Sequence, residues 1–189
     1  MNEEVTRKIE RKPTFPTTGG FSDQDRLLAL LPLRPYQVIA DVGPGPEYLS
    51  LALAKYLYDG QLYVVGIRKG TLEIARQTLK PFRFTNVEFL QGRGSAIPLP
   101  AKSLDGAIFA SPSILTRNTK AVLTSVKALL GRGGWMAIGE WDKNGATLRS
   151  SVASRPLRDE LREEAERVGF RLLTTRRLND QQYLMIFGI

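Results

Sequence analysis

The apolar run Val38-Ile39-Ala40 leads into Asp41-Val42-Gly43-Pro44-Gly45-Pro46-Glu47 and on into Tyr48-Leu49-Ser50-Leu51-Ala52-Leu53-Ala54. Short, β-branched and apolar, the first part predicts a buried strand. Two glycines and two prolines then impose a tight turn in which no helix can begin. Leu49, Leu51, Leu53, Ala54 and Leu57 supply enough apolar surface for a buried helix after the turn. Strand, glycine turn and helix open a nucleotide-binding βαβ unit, whose helix N-terminus and bare turn backbone face a ligand. A lone G-x-G turn is common, so its meaning depends on the rest of the chain.

The remaining segments alternate between strand and helix patterns. Ser22 is placed to cap a helix carrying Leu27, Leu28, Leu30 and Leu31, which Pro32 stops. After the glycine turn, strands are expected at 62–67, 86–91, 104–110 and 135–141. Helices are expected at 71–79, from an Asn118 cap to Leu130, and from Pro156 to a stop at Gly169. Residues 131–134, Gly-Arg-Gly-Gly, read as the end of the helix before them. Residues 92–95 and 142–154 read as loops, and 97–100 as an irregular apolar segment. Strands at 170–175 and 182–187, joined by a turn at Asn179-Asp180, form a closing antiparallel pair. Five βα repeats and a terminal hairpin imply an α/β fold of Rossmann-like, doubly wound type, with a mostly parallel seven-stranded sheet and a C-terminal antiparallel hairpin.

The chain has 189 residues, enough for one domain with a full core. Residues 1–21 read as a polar N-terminal arm and 22–189 as the domain. Phe15 and Phe21 offer the arm points of attachment; a lid over the site is the alternative. No apolar run is long enough to span a membrane, and the start lacks the apolar segment of a secretory signal, so a cytoplasmic protein is expected. Cysteine and histidine are both absent. That excludes disulfides, thiolate nucleophiles, imidazole bases and nearly all zinc sites, and leaves acid–base chemistry to Asp, Glu, Lys and Tyr. A net charge of +8 permits an anionic partner: nucleic acid, a phosphorylated metabolite or an acidic membrane surface. The basic residues are spread along the chain, and no nucleic-acid-binding motif is present.

Over roughly residues 25–189 the chain resembles the class I S-adenosylmethionine-dependent methyltransferases, in particular the small single-domain type acting on small molecules. Four words carry the resemblance, in the family's order. They are Asp41-Val42-Gly43-Pro44-Gly45; Ile97-Pro98-Leu99-Pro100 with Leu104-Asp105-Gly106-Ala107 after it; the helix ending at Leu130 with Gly133-Gly134 and its strand; and Glu164-Ala165-Glu166-Arg167-Val168-Gly169-Phe170. The resemblance implies S-adenosylmethionine as cofactor and a site at Asp41, Gly43, Gly45, Glu47, Arg68 and Arg93.

Three of those positions depart from the family. Its third glycine falls on Glu47, which puts a charged side chain where bare backbone would approach the ligand. An acidic residue that accepts hydrogen bonds from both ribose hydroxyls falls on Arg68, in Gly66-Ile67-Arg68; a guanidinium only donates. An aspartate near the adenine amino group falls on Arg93, in Gly92-Arg93-Gly94. If Glu47 pairs with either arginine, the pocket fills with its own ion pair. If not, the pocket is cationic and suits a phosphorylated ligand.

Methyl transfer from a sulfonium asks mainly for alignment, so the lack of histidine and cysteine is no obstacle. The acceptor is expected over the carboxyl ends of the strands, near 111–113 and Glu140-Trp141-Asp142. Glu140 or Asp142 is a possible base and Tyr48 a wall of the methyl site. Packing for Trp141 and loop solvation for Glu140 and Asp142 are the alternatives. Two functions are consistent with these residues: methyl transfer to an unidentified small molecule, or a methyltransferase fold that has lost its cofactor and serves as a binding or scaffold module or takes a phosphorylated ligand.

Overall fold

A computed structural model describes residues 24–44, 49–67, 69–93, 95–110, 115–141, 157–179 and 182–189. Helix α1 (Gln24–Leu30) precedes strand β1 (Val38–Val42), α2 (Leu49–Tyr56), β2 (Gln61–Gly66) and α3 (Lys69–Leu79). A 3-10 turn (Lys80–Phe82) leads to β3 (Val87–Gln91) and β4 (Leu104–Phe109). Then come α4 (Leu115–Leu129), β5 (Leu130–Trp141), α5 (Arg158–Val168), β6 (Arg171–Arg177) and β7 (Gln182–Gly188).

The seven strands form one sheet in the order β3-β2-β1-β4-β5-β7-β6. The first five are parallel, and β7 lies antiparallel between β5 and β6. This is the expected fold class. β1 sits at the centre and is buried along nearly all its length because both sheet faces are covered. Ile39, Leu62 and Val64 pack under α1, α2 and α3 through Leu27, Leu53, Leu57 and Leu72. Ala40, Val42, Met136 and Ile138 pack under α4 and α5 through Leu123, Val126, Leu161 and Ala165. Alternate residues of one strand thus feed two cores.

Polar side chains tie the elements where backbone groups would otherwise lack partners. Asn86 donates to the carbonyls of Ala54 (3.0 Å) and Leu57 (2.7 Å) at the end of α2. Asp105 Oδ2 accepts the amide of Val38 at 2.8 Å and pins the start of β1 to β4. Gly169, at φ 94°, ends α5 as expected, and Lys127 of α4 donates to the carbonyl of Val168 at 2.8 Å.

Several expectations are corrected. No helix comes after β3 among the described residues, so the βα repeats are not five. Arg93 and Ala96 instead exchange two backbone hydrogen bonds of 3.0 Å, and the chain runs directly to β4. Residues 131–134 do not terminate a helix. α4 ends at Leu129, and these residues belong to β5, as an irregularity between the pairs Leu104–Leu130 and Gly106–Trp135. Asn118 marks a break in α4, with φ −154° and ψ 46°: the helix to Leu129 begins there as expected, and a short helical segment from Leu115 precedes it. The arm, Ser22, Pro156 and residues 142–154 lie outside the described residues. No helix is long and apolar enough to cross a membrane among the described residues.

Candidate functional site

The chain leaves β1 for β2 on one side and returns to β4 on the other, so the carboxyl end of β1 is the switch point of the sheet. Open α/β sheets bind ligands in the crevice there. Asp41, Val42 and Gly43 reach it. Gly43 donates to the carbonyl of Val65 at 2.8 Å, continuing the β1–β2 ladder, and turns away with φ 69°, a conformation that favours glycine.

Asp41 is 1% exposed. It pairs in register with Val64 on one side and Ile108 on the other, and shares the face of Ile39 beneath α2. Ser50, buried in the first turn of α2, donates its hydroxyl to Asp41 Oδ2 at 2.5 Å. Asp41 Oδ1 is buried and has no hydrogen-bond partner among the described residues. Burial raises the Asp41 carboxyl from an ordinary value of 3.8 to about 6, and the Ser50 hydrogen bond holds it from rising further. A buried carboxyl with one oxygen held and one open is an acceptor aimed at a donor-bearing group.

The neighbouring strand ends are braced by backbone. Gly92 donates to the carbonyl of Gly66 at 2.9 Å, and Gln91 Nε2 donates to Gly66 (2.8 Å) and Gly92 (3.0 Å). Arg93 comes next and is exposed, on the turn closed with Ala96. Gly45, Glu47, Tyr48 and Arg68 lie outside the described residues, as do residues 111–113 and Asp142. Of the six expected site residues, the described structure therefore positions Asp41, Gly43 and Arg93. The first two are adjacent at the switch point, and Arg93 lies two strands away at the end of β3.

Glu140 is not a solvated loop residue. It belongs to β5 and is 1% exposed. Its Oε1 accepts the amide of Trp141 at 2.8 Å, and it pairs across the ladder with Tyr183. By strand alternation it shares the face of Met136 and Ile138, beneath α4 and α5, whereas Asp41 lies beneath α2. The two carboxylates thus occupy opposite faces of the sheet. On Glu140's side, the Arg158 guanidinium stands 5.9 Å from the Tyr183 ring centre. Trp141 is half-buried at the strand end.

Two residues of the site escaped the sequence reading. Ser50 carried a signal, a hydroxyl on the buried side of an otherwise apolar helix, where a polar group needs a partner. Gln91 carried none, since glutamine at a strand end is ordinary.

The fold has many counterparts among solved structures. A methyltransferase from Aquifex aeolicus, described as S-adenosylmethionine-dependent, superposes with a TM-score of 0.78 at 19% identity over 89% of this chain and 90% of that one. The [4+2]-cyclase SpnF gives 0.70 at 15% identity over 87% and 78%. An arsenic(III) S-adenosylmethionine methyltransferase from Chlamydomonas reinhardtii gives 0.64 at 19% over 84% and 65%. At such identities the likeness is one of fold, and a cyclase among the matches shows that this fold hosts more than one chemistry. The family model that describes a methyltransferase domain matches residues 39–134, from β1 to the bulge of β5. With half its length inside that match and the seven-stranded class I architecture around it, this chain belongs to the methyltransferase domain family.

Proposed function

We infer that the crevice at the end of β1 binds S-adenosylmethionine and that the protein transfers a methyl group to a small molecule. The observation that carries this is the Asp41 carboxyl, buried at the switch point with Oδ1 unpartnered beside the left-handed Gly43. That open acceptor fits a ligand rich in donors, as an ammonium and ribose hydroxyls are. Asp41 and the backbone around Gly43 would hold the cofactor, with the first turn of α2 facing it. When bound, S-adenosylmethionine supplies an electrophilic methyl group. The chain's part is to orient the two reactants and exclude water, work that needs no histidine or cysteine. Family membership supports the reading, as do the likenesses to the two solved structures described as S-adenosylmethionine-dependent methyltransferases.

A second reading rests on the chemistry of Arg68 and Arg93, two cations where related sites carry acceptors. Cations at these two sequence positions would favour a phosphorylated ligand in place of S-adenosylmethionine.

Calorimetric titration with S-adenosylmethionine and S-adenosylhomocysteine separates the two. Micromolar binding that weakens at least tenfold in Asp41→Asn is expected. No binding at millimolar ligand sinks the methyltransferase reading. Recovery of binding in Glu47→Gly with Arg68→Asp would then identify a decayed cofactor site.

A further inference from the structure

A groove of about 480 Å3 lies at the start of β3, the end of that strand away from the crevice. That volume is within the ~300–1,000 Å3 of small-ligand clefts. Arg76, Lys80 and Arg83 line it, with Phe84 and Phe89 among its apolar walls and Glu73 as its only acidic residue among the described residues. Glu73 is engaged by Gln77, which donates to it at 3.1 Å. Among the described residues none of the three cations has a carboxylate partner. The Arg76 guanidinium stacks over Phe89, 4.7 Å from the ring centre. Phe84 stacks on Phe82 with ring centres 5.7 Å apart and planes at 19°. Phe82 itself is 47% exposed, with the Lys55 ammonium 5.2 Å from its ring centre. Arg83 holds a left-handed conformation, φ 51° and ψ 40°, which is uncommon for a residue with a side chain. Its amide donates to the Lys80 carbonyl at 3.4 Å, so this conformation caps the 3-10 turn.

Cations alone would form an ordinary solvated surface, and aromatic rings alone an ordinary rim. Their alternation in one concave site is the arrangement that takes a flat base on ring faces and its phosphates on guanidinium and ammonium groups. A membrane surface would need a convex apolar edge instead. The chain's net charge of +8 favours a long polyanion over a single small anion. We propose that this groove binds single-stranded nucleic acid, one base seated against the Phe82–Phe84 stack and the phosphates of adjacent nucleotides on Arg76, Lys80 and Arg83. The surface lies apart from the crevice, so the proposal stands independently of the methyltransferase reading.

The test is fluorescence anisotropy with a labelled twelve-nucleotide RNA at 50 and 200 mM salt. Three phosphate contacts at about 0.7 counterions each predict a weakening of about 20-fold across that range. Lys80→Glu with Arg83→Glu is expected to lose at least tenfold in affinity, and Phe82→Ala about tenfold through lost stacking. Arg171→Glu with Arg176→Glu, on the exposed edge strand β6, makes the same charge change elsewhere and is expected to alter affinity less than threefold. Circular dichroism melts establish that each variant is folded. The proposal is overturned by absence of binding at 50 mM salt, or by equal losses in the two charge reversals. It is also overturned if inorganic polyphosphate or a free mononucleotide competes as well as the RNA does.

Discussion

Ser50 donates its hydroxyl to Asp41 Oδ2 at 2.5 Å, and the other oxygen of that carboxyl is buried without a partner among the described residues. One oxygen of the group is therefore satisfied from within and the other is buried without a donor. A buried carboxylate in that condition destabilises the fold unless a ligand supplies the missing donor.

The sign of the resulting pH dependence is set by the Asp41 carboxyl standing at about 6 in the fold against an ordinary 3.8. Between those values the folded protein holds the proton more tightly than the unfolded chain. Its stability contribution is full below about pH 4, is lost as pH rises toward 6, and stays lost above. The gap corresponds to about 3 kcal/mol at most. Asp41→Asn keeps the acceptor for Ser50 and removes the charge, so it is expected to stabilise the free protein by about 1–3 kcal/mol at pH 7.5. Near pH 4 it is expected to change little. Urea denaturation at the two pH values checks this, and a destabilised variant at pH 7.5 contradicts it.

A donor-bearing or cationic ligand at Asp41 Oδ1 prefers the ionised carboxyl. Affinity for S-adenosylmethionine is therefore expected to fall as pH drops below about 6, approaching tenfold per pH unit, with proton release on binding near pH 5.5. Calorimetry in two buffers of different ionisation enthalpy reads the proton count. A pH-independent affinity with no proton exchange would place the ligand away from Asp41.

Ser50 acts on that profile through Asp41. Its hydrogen bond lowers the carboxyl from where burial alone would put it. Ser50→Ala is expected to move the midpoint of the binding profile to higher pH, and to weaken binding at pH 6 more than at pH 8. Ser50→Thr, which keeps the hydroxyl, is expected to restore the wild-type midpoint. Equal weakening at every pH would reduce Ser50 to a packing residue.

The central parallel sheet was legible because β1, β2, β4 and β5 are buried on both faces and read as apolar runs, bounded by Gly43, Gly60 and similar turns. Asp41 stood out as an acid at the end of such a run, beside a glycine. The features that could not be read arose from tertiary context. The loop at 92–95 and the irregular segment at 97–100 read without a helix, as the turn between Arg93 and Ala96 bears out, and only the count of five βα repeats overran them. The Gly-rich 131–134 matches a helix stop on local chemistry, yet pairing with β4 draws it into β5. Glu140 reads as a rim carboxylate until strand alternation places it beneath α4 and α5. The groove at β3 is lined by Arg76, Lys80, Arg83, Phe84 and Phe89, which are close in sequence, but the turn between α3 and β3 is what makes them one concave surface.

The β4–β5 seam offers a test of how tightly that register is held. A Cβ on Gly106 would lie 2.5 Å from Trp135 Cε2, 2.6 Å from Cζ2 and 2.9 Å from Ile39 Cδ1. Trp135 is 5% exposed, and its ring nitrogen has no hydrogen-bond partner among the described residues. The indole is thus held by its fit over a bare strand and not by its donor. Gly106→Ala forces the ring aside in a packed interior, which costs about 2–3 kcal/mol. In a Trp135→Leu background the ring is absent, and the same substitution is expected to cost at least about 1 kcal/mol less. Urea denaturation of the four proteins of the cycle gives the coupling. Additive losses would show that Gly106 is required for its backbone and not for the tryptophan that covers it.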